Sequence, residues 1–342
     1  MLGYLTDKSE RVKGLGGARM RKRVAAIVAL STFAVFTILI TFIQPSKLSL
    51  SGTLIYHRYT DYQSWDATMW TIDLKSGIQR QVNKNWHTMI SPINAHFSVD
   101  GQTITFMGSA AGLAENDWDV FTSHWDGSAW QEPINLTGPN GARDEDPKFS
   151  PVGSTIVYKE DGVLVTMNID GSNKTYLTKG EPESSMPYFA PNGRDILFER
   201  QGDIYLLSKG KEIKMYAGAG ESSYYPIGLD EKKFLYTRVQ STRHDAIMKG
   251  FYDGSPSISY FFNSPDWDTS DSFPYQDGSR FIFYVTGDFL IPHGGYNLAL
   301  ADLKTHTRWD IDGWFKGRSG GDINTEFAEL GPAWSPVNFY QK

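Results

Sequence analysis

Residues 146–158 read Asp146-Pro147-Lys148-Phe149-Ser150-Pro151-Val152-Gly153-Ser154-Thr155-Ile156-Val157-Tyr158, and this stretch decides the fold. Residues 147–150 predict one short strand. Residues 151–154 predict a tight turn, in which proline presets φ and glycine is free to take a positive one. Residues 155–158 are β-branched and aromatic and predict a second strand.

Working outward, variants of the stretch recur. Aligned on Pro147 they fall at Ala95, Pro147, Pro187, Pro226, Pro274 and Pro332, spaced 52, 40, 39, 48 and 58 residues apart. A repeat of roughly 40–50 residues with several strands in each unit is the signature of a β-propeller. Second strands are expected at 103–106, 155–158, 195–198, 233–236 and 280–283. Third strands are expected at 120–123, 164–167, 204–207, 246–249 and 297–300. Asp126-Gly127, Asp170-Gly171 and Asp253-Gly254 mark the hairpin turns that follow. The last repeat is a first strand with nothing after it, and residues 52–82 supply strands two to four without a first. Pairing the two chain ends would complete a sixth blade and close the ring, removing exposed sheet edges.

The pattern P-x-F-S-P-x-G, then I-x-F/Y, D-G and L-T, resembles the propeller repeats of the TolB-like (WD40-like) family rather than true WD40 repeats. It is clearest in residues 146–178 and 186–207, and departs from the family at Ala95 and in the fifth repeat, Ile227-Gly228-Leu229-Asp230. The resemblance implies a six-bladed all-β propeller over residues 52–338. It implies function only as a choice, because such propellers serve as binding platforms, as accessory domains of peptidases and as catalytic domains of some polysaccharide lyases.

The N-terminus is of another kind. Residues 24–43 run twenty positions without a charge, about 30 Å as a helix and long enough for a hydrocarbon core. Arg11, Lys13, Arg19, Arg21, Lys22 and Arg23 precede it. The positive-inside rule then predicts a cytoplasmic basic tail (1–23), a transmembrane signal anchor (24–43), a linker (44–51) and a propeller outside the cell membrane. A cleaved signal peptide is the alternative, but the run is long for one and lacks a small-residue cleavage site. Residues 1–45 hold seven Lys/Arg and two Asp/Glu, against 33 and 39 in the whole chain, so the remainder carries a net charge of −11. An acidic outer domain argues against a nucleic-acid partner. The chain has no cysteine, which excludes disulfides and thiolate metal sites.

Long two-to-three loops at 58–68, 107–118, 238–245 and 286–296 contrast with minimal ones at 159–162 and 200–202. Long loops on a rigid scaffold usually carry function. Tyr62, Trp65, Trp118, His244 and His293 on that face are the candidate contacts for a protein or a cell-surface polysaccharide, with packing under their own loops as the competing role. Counting three back from each aligned proline gives Asp144, Asp271 and Glu329, which would ring the channel and admit a basic segment or a divalent cation; the competing role is capping turns. No cofactor is otherwise called for, and the spacing of the histidines shows no metal motif. The second reading is a polysaccharide lyase or glycan hydrolase on the same propeller. It would draw its base and its charge stabilisation from His57, His96, Arg143, Tyr225 and His244, provided they converge in one pocket.

Overall fold

The computed structural model describes residues 50–60, 64–112, 117–153, 155–217, 221–239, 244–287, 295–316 and 322–340. The predicted anchor at 24–43, Tyr62 and His293 lie outside these. Among the described residues no helix is long and apolar enough to cross a membrane.

Six four-stranded antiparallel sheets follow one another along the chain. Blade 2 is β4 (Met89–Phe97), β5 (Thr103–Ala110), β6 (Asp119–His124) and β7 (Ile134–Asn135). Blade 3 is β8 (Asp144–Phe149), β9 (Thr155–Glu160), β10 (Val163–Asn168) and β11 (Thr175–Tyr176). Blade 4 is β12 (Ser185–Phe189), β13 (Ile196–Arg200), β14 (Asp203–Ser208) and β15 (Lys211–Tyr216). Blade 5 is β16 (Ser222–Gly228), β17 (Lys233–Val239), β18 (Ala246–Phe251) and β19 (Ile258–Ser259). Blade 6 is β20 (Asp268–Pro274), β21 (Phe281–Gly287), β22 (Tyr296–Asp302) and β23 (Thr307–Asp310), followed by the one-turn helix α1 (Ile311–Phe315). Blade 1 joins the two ends of the described chain: β24 (Ala328–Ser335) lies beside β1 (Thr53–Tyr59), then β2 (Thr68–Asp73) and β3 (Gln79–Gln81). Thr53 faces Ser335 and Ile55 faces Ala333, so the ring closes by strand pairing.

The central strands are apolar on both faces because each faces two neighbouring blades. In β9, Ile156 and Tyr158 pack with Val120 of blade 2, while Val157 packs with Phe189 and Phe198 of blade 4. In β13, Ile196 and Phe198 take part in that same seam, and Leu197 turns to Phe234 and Tyr236 of blade 5. The period of two along a strand therefore alternates between seams, not between core and water. Each such side chain contributes roughly 1.5–3 kcal/mol by leaving water. Between blades 6 and 1, α1 adds Ile311, Trp314 and Phe315 to Leu54, Tyr56, Ile72 and Phe283. Asp310 caps that helix by accepting the Gly313 N–H.

Candidate functional site: the axial mouth

Every first strand breaks its ladder near its middle, and β4 breaks it a second time between Ile90 and Ile93. Register slips between Glu145 and Lys148, Ser185 and Tyr188, Tyr224 and Ile227, and Ser270 and Phe273. It slips in β4 between Ile93 and His96, and in β24 opposite Ile55 and His57. Each mid-strand break holds a left-handed residue, Asn94 (φ 56), Asp146 (φ 54), Met186 (φ 51), Tyr225 (φ 54), Asp271 (φ 43) or Gly331 (φ 60), and the further break of β4 holds Ser91 (φ 52). A bulge of this kind bends a strand and re-aims a side chain. At Gly331 the space also demands glycine, since a Cβ would stand 2.8 Å from the His57 ring and 3.1 Å from Asn94 Oδ1.

This geometry corrects the alignment of blade 6. Asp271 is the counterpart of Asp146, so Ser272, not Pro274, stands where Pro147 stands. The expected acidic ring of Asp144, Asp271 and Glu329 does not form. Asp144 is fully buried and takes a hydrogen bond from Asn140 at 3.1 Å; burial pushes it up to about 7. Glu329, also fully buried, pairs with Arg58 at 2.8 Å. The Arg58 guanidinium lies 4.8 Å from the centre of the Trp70 ring, in the seam between blades 1 and 6. Of the three, only Asp271 reaches the axial cavity.

That cavity holds about 360 Å³ and draws its walls from blades 1, 2, 3, 4 and 6. His57, Tyr59 and Leu330 form one side, Asn94 and Met107 the next, then Arg143, Glu145, Asp146 and Lys159, then Met186 and Glu199, and last Asp271. Asn94 Nδ2 donates to Asp146 Oδ1 at 2.8 Å. Lys159 is buried, pairs with Glu145, and donates to Glu183 at 2.7 Å. Arg143 reaches the same Glu183 at 3.2 Å. Burial pushes Asp271 up to about 6, opposed by the Gly331 N–H that it accepts, with Asp146 adding to the rise. Burial likewise raises Glu199, against a 2.6 Å hydrogen bond from the Gly202 N–H.

Just below the mouth the axis is plugged. His96 Nδ1 accepts the Phe149 N–H at 3.2 Å, so Nε2 carries the proton and faces Tyr188 Oη, also at 3.2 Å. The His96 ring stands 5.5 Å from Tyr188 and 6.1 Å from Phe273, rings supplied by alternate blades. Burial and then Lys148 push His96 down to about 3. Lys148 is 5% exposed, its Nζ has no hydrogen-bond partner, and it lies 5.9 Å from the Tyr225 ring.

The other expected residues scatter. Trp65 and Trp118 stack on each other at 4.3 Å within a small cluster with Ile93 and Met107, and Trp118 is 4% exposed. His244 lies between blades 5 and 6, its Nδ1 3.2 Å from Asp268, which also accepts from Tyr296 Oη at 3.0 Å. His57 and Arg143 share the cavity, but His57 Nδ1 faces the Asn94 N–H at 3.4 Å and burial drives the ring down to about 3. Among the described residues no cluster of three or more His, Cys, Asp or Glu could hold a metal ion. Sequence reasoning missed Glu145, Asp146, Lys148, Lys159 and Glu199. The signal was in the first stretch quoted: charges on both sides of Pro147, where an inner strand should be apolar.

No family model matches the chain, and no curated protein sequence does. Solved structures do. TolB from Acinetobacter baumannii superposes with a TM-score of 0.61 at 13% identity, covering 84% of this chain and 68% of that one. A putative TolB from Agrobacterium tumefaciens gives 0.55 at 14% identity, covering 84% of this chain and all of that one. Oligogalacturonate lyase from Vibrio parahaemolyticus gives 0.51 at 12%, covering 75% and 78%. At such identities the likeness is one of fold: the chain is an all-β, six-bladed propeller, the fold that the TolB structures share.

Proposed function

We propose that this protein is a binding module, held to the outer face of a cell membrane by residues 24–43, whose axial mouth receives a segment of a partner polypeptide. The observation that carries the reading is the charged lining of the cavity. Glu145, Asp146, Glu199 and Asp271 stand against Arg143 and Lys159, so the walls are net acidic yet carry both signs. A uronate polymer would meet excess negative charge there, whereas a peptide bringing a lysine or arginine would be complemented. The left-handed bulges aim Asp146 and Asp271 rigidly, which lowers the ordering cost of binding. The lyase reading is weaker, because its candidates do not converge. His96 and Tyr225 belong to the plug, His244 lies in another seam, and Arg143 is bonded to Glu183.

The test uses the full chain in its native membrane with a photo-crosslinking residue at Met186, on the cavity wall. A discrete protein adduct that disappears in the Asp146→Lys, Asp271→Lys double variant is the expected result. No adduct, together with unsaturated products released from uronate polymers by the same preparation, would replace binding with lyase chemistry.

A further inference from the structure

A second groove lies away from the axis, between blades 3 and 4, where the short hairpin turns gather. It holds about 600 Å³. Its floor is the rim of the seam core: Phe189, Ile196 and Leu207, each under 10% exposed, with Leu177 beside them. Tyr176, 59% exposed, forms one wall. Two cations stand over the floor, Arg194 and Lys209.

Both cations are presented by stiff turns. The turn carrying Arg194 is closed by the Gly193 N–H donating to Ala190 O at 2.9 Å. Asn192 Oδ1 accepts the N–H groups of Arg194 and Asp195 at 3.0 and 2.9 Å, and Asn192 Nδ2 donates to the Asp195 carboxylate at 2.9 Å. Asp195 is thereby engaged by Asn192. Among the described residues Arg194 is the arginine whose guanidinium has no ion pair, hydrogen bond or ring contact; the others are taken up by Glu329, Glu183, Glu212, Glu221, Asp302, the Tyr340 ring and Phe262 O. Lys209 (φ 50) and Gly210 (φ 71) form the two-residue turn between β14 and β15. A left-handed lysine costs roughly 1 kcal/mol or more where asparagine or glycine would sit at ease. The matching turns of blades 2, 3 and 5 carry Asp126-Gly127, Asp170-Gly171 and Asp253-Gly254, and the positions matching Arg194 in blades 2 and 3 carry Gln102 and Ser154. The corresponding turns of blades 1 and 6, at 74–78 and 303–306, carry Lys75 and Lys304. Blade 4 thus carries a cation where the matching turns of blades 2, 3 and 5 carry an aspartate, and it does so beside an apolar floor.

We propose that this groove is a second docking site, distinct from the axial mouth, for an extended acidic–apolar segment of a partner polypeptide. A carboxylate of the segment lies between Arg194 and Lys209, and an adjacent aromatic or branched side chain covers Phe189 and Leu207. The domain carries a net charge of −11 outside residues 1–45, so general electrostatic attraction works against such a ligand and only this local pair favours it.

The test is fluorescence anisotropy on the full chain with labelled, end-capped peptides of alternating aspartate and phenylalanine, against controls with asparagine for aspartate or alanine for phenylalanine. The aspartate–phenylalanine peptide should bind at least tenfold more tightly than either control. Arg194→Glu with Lys209→Glu should abolish that preference without moving the melting temperature, and Asp271→Asn should leave it intact. Equal binding of all three peptides would overturn the proposal. So would binding that survives the double charge reversal, or binding that falls with Asp271→Asn instead, which would assign the peptide to the mouth. Self-association of the chain that Arg194→Glu dissolves would also overturn it, by giving the groove to a second copy.

Discussion

Blades 3 and 6 are built to the same plan by different sequences. In blade 3 the break in the first strand is Asp146 followed by Pro147, with Lys148 and Phe149 resuming the ladder opposite Val157 and Ile156. In blade 6 it is Asp271 followed by Ser272, with Phe273 and Pro274 opposite Phe283 and Ile282. The proline is displaced by two residues, yet the bulge is in the same place, left-handed in both blades. The bulge is therefore imposed by the inner end of the blade, where first strands crowd the axis, and proline only favours it. What changes freely is the side chain that the bulge aims. Both blades aim an aspartate at the mouth, while the next inward position is the buried cation Lys148 in one and Phe273 of the plug in the other.

The comparison is broken most forcefully at the second strands. Ile156 and Ile282 are both fully buried opposite the resumed ladder. Ile156→Ala and Ile282→Ala should each cost about 2–5 kcal/mol, read as a lower denaturant midpoint of one cooperative transition. A blade 6 variant costing much less than its blade 3 partner would show that the two blades are not equally packed.

A smaller effect separates the two by pH. Asp271 holds its proton more tightly folded, at about 6, than unfolded, at about 4. Its contribution is thus fully present below the unfolded value and is lost as pH rises through the folded one. Asp271→Asn removes that loss. The variant should gain about 1–2 kcal/mol on the wild type between pH 4 and pH 7.5, after discounting for the partial exposure of the group. A difference that is flat with pH would place Asp271 outside the desolvated mouth.

The smallest effect is the sharpest on cause. Ser272→Pro should be tolerated and stabilise by up to about 0.5–1 kcal/mol, because the backbone there already matches its proline-bearing counterpart, while Pro147→Ser should lose a similar amount. If Ser272→Pro instead unfolds the domain, the equivalence of the two bulges is wrong.

The sequence by itself determined the number of blades, the order of strands and the joining of the chain ends. These follow from local signals, a β-branched run after a Pro-Gly turn, an orphan first strand at one end and three strands lacking a first at the other, which need no knowledge of distance. Asp271 and His57, both named from the sequence, line the axial cavity, one from a first strand and the other from the second strand of blade 1. Only the tertiary structure decided what meets at the axis. One extra residue in a strand reverses which side chains face inward, and that residue leaves no fixed letter: Asn94, Asp146, Met186, Tyr225, Asp271 and Gly331 share a conformation and no chemistry. Counting three back from Pro147 and Pro332 lands on Asp144 and Glu329, which lie beyond the bulge and are fully buried away from the cavity, whereas the same count from the displaced Pro274 lands on the bulge residue Asp271 itself. The same holds for Trp65 and Trp118, aromatic and on a long loop, whose partners turned out to be each other. Charge and aromaticity are properties of a residue, but whether they face a ligand is set by the register of strands far apart in the chain.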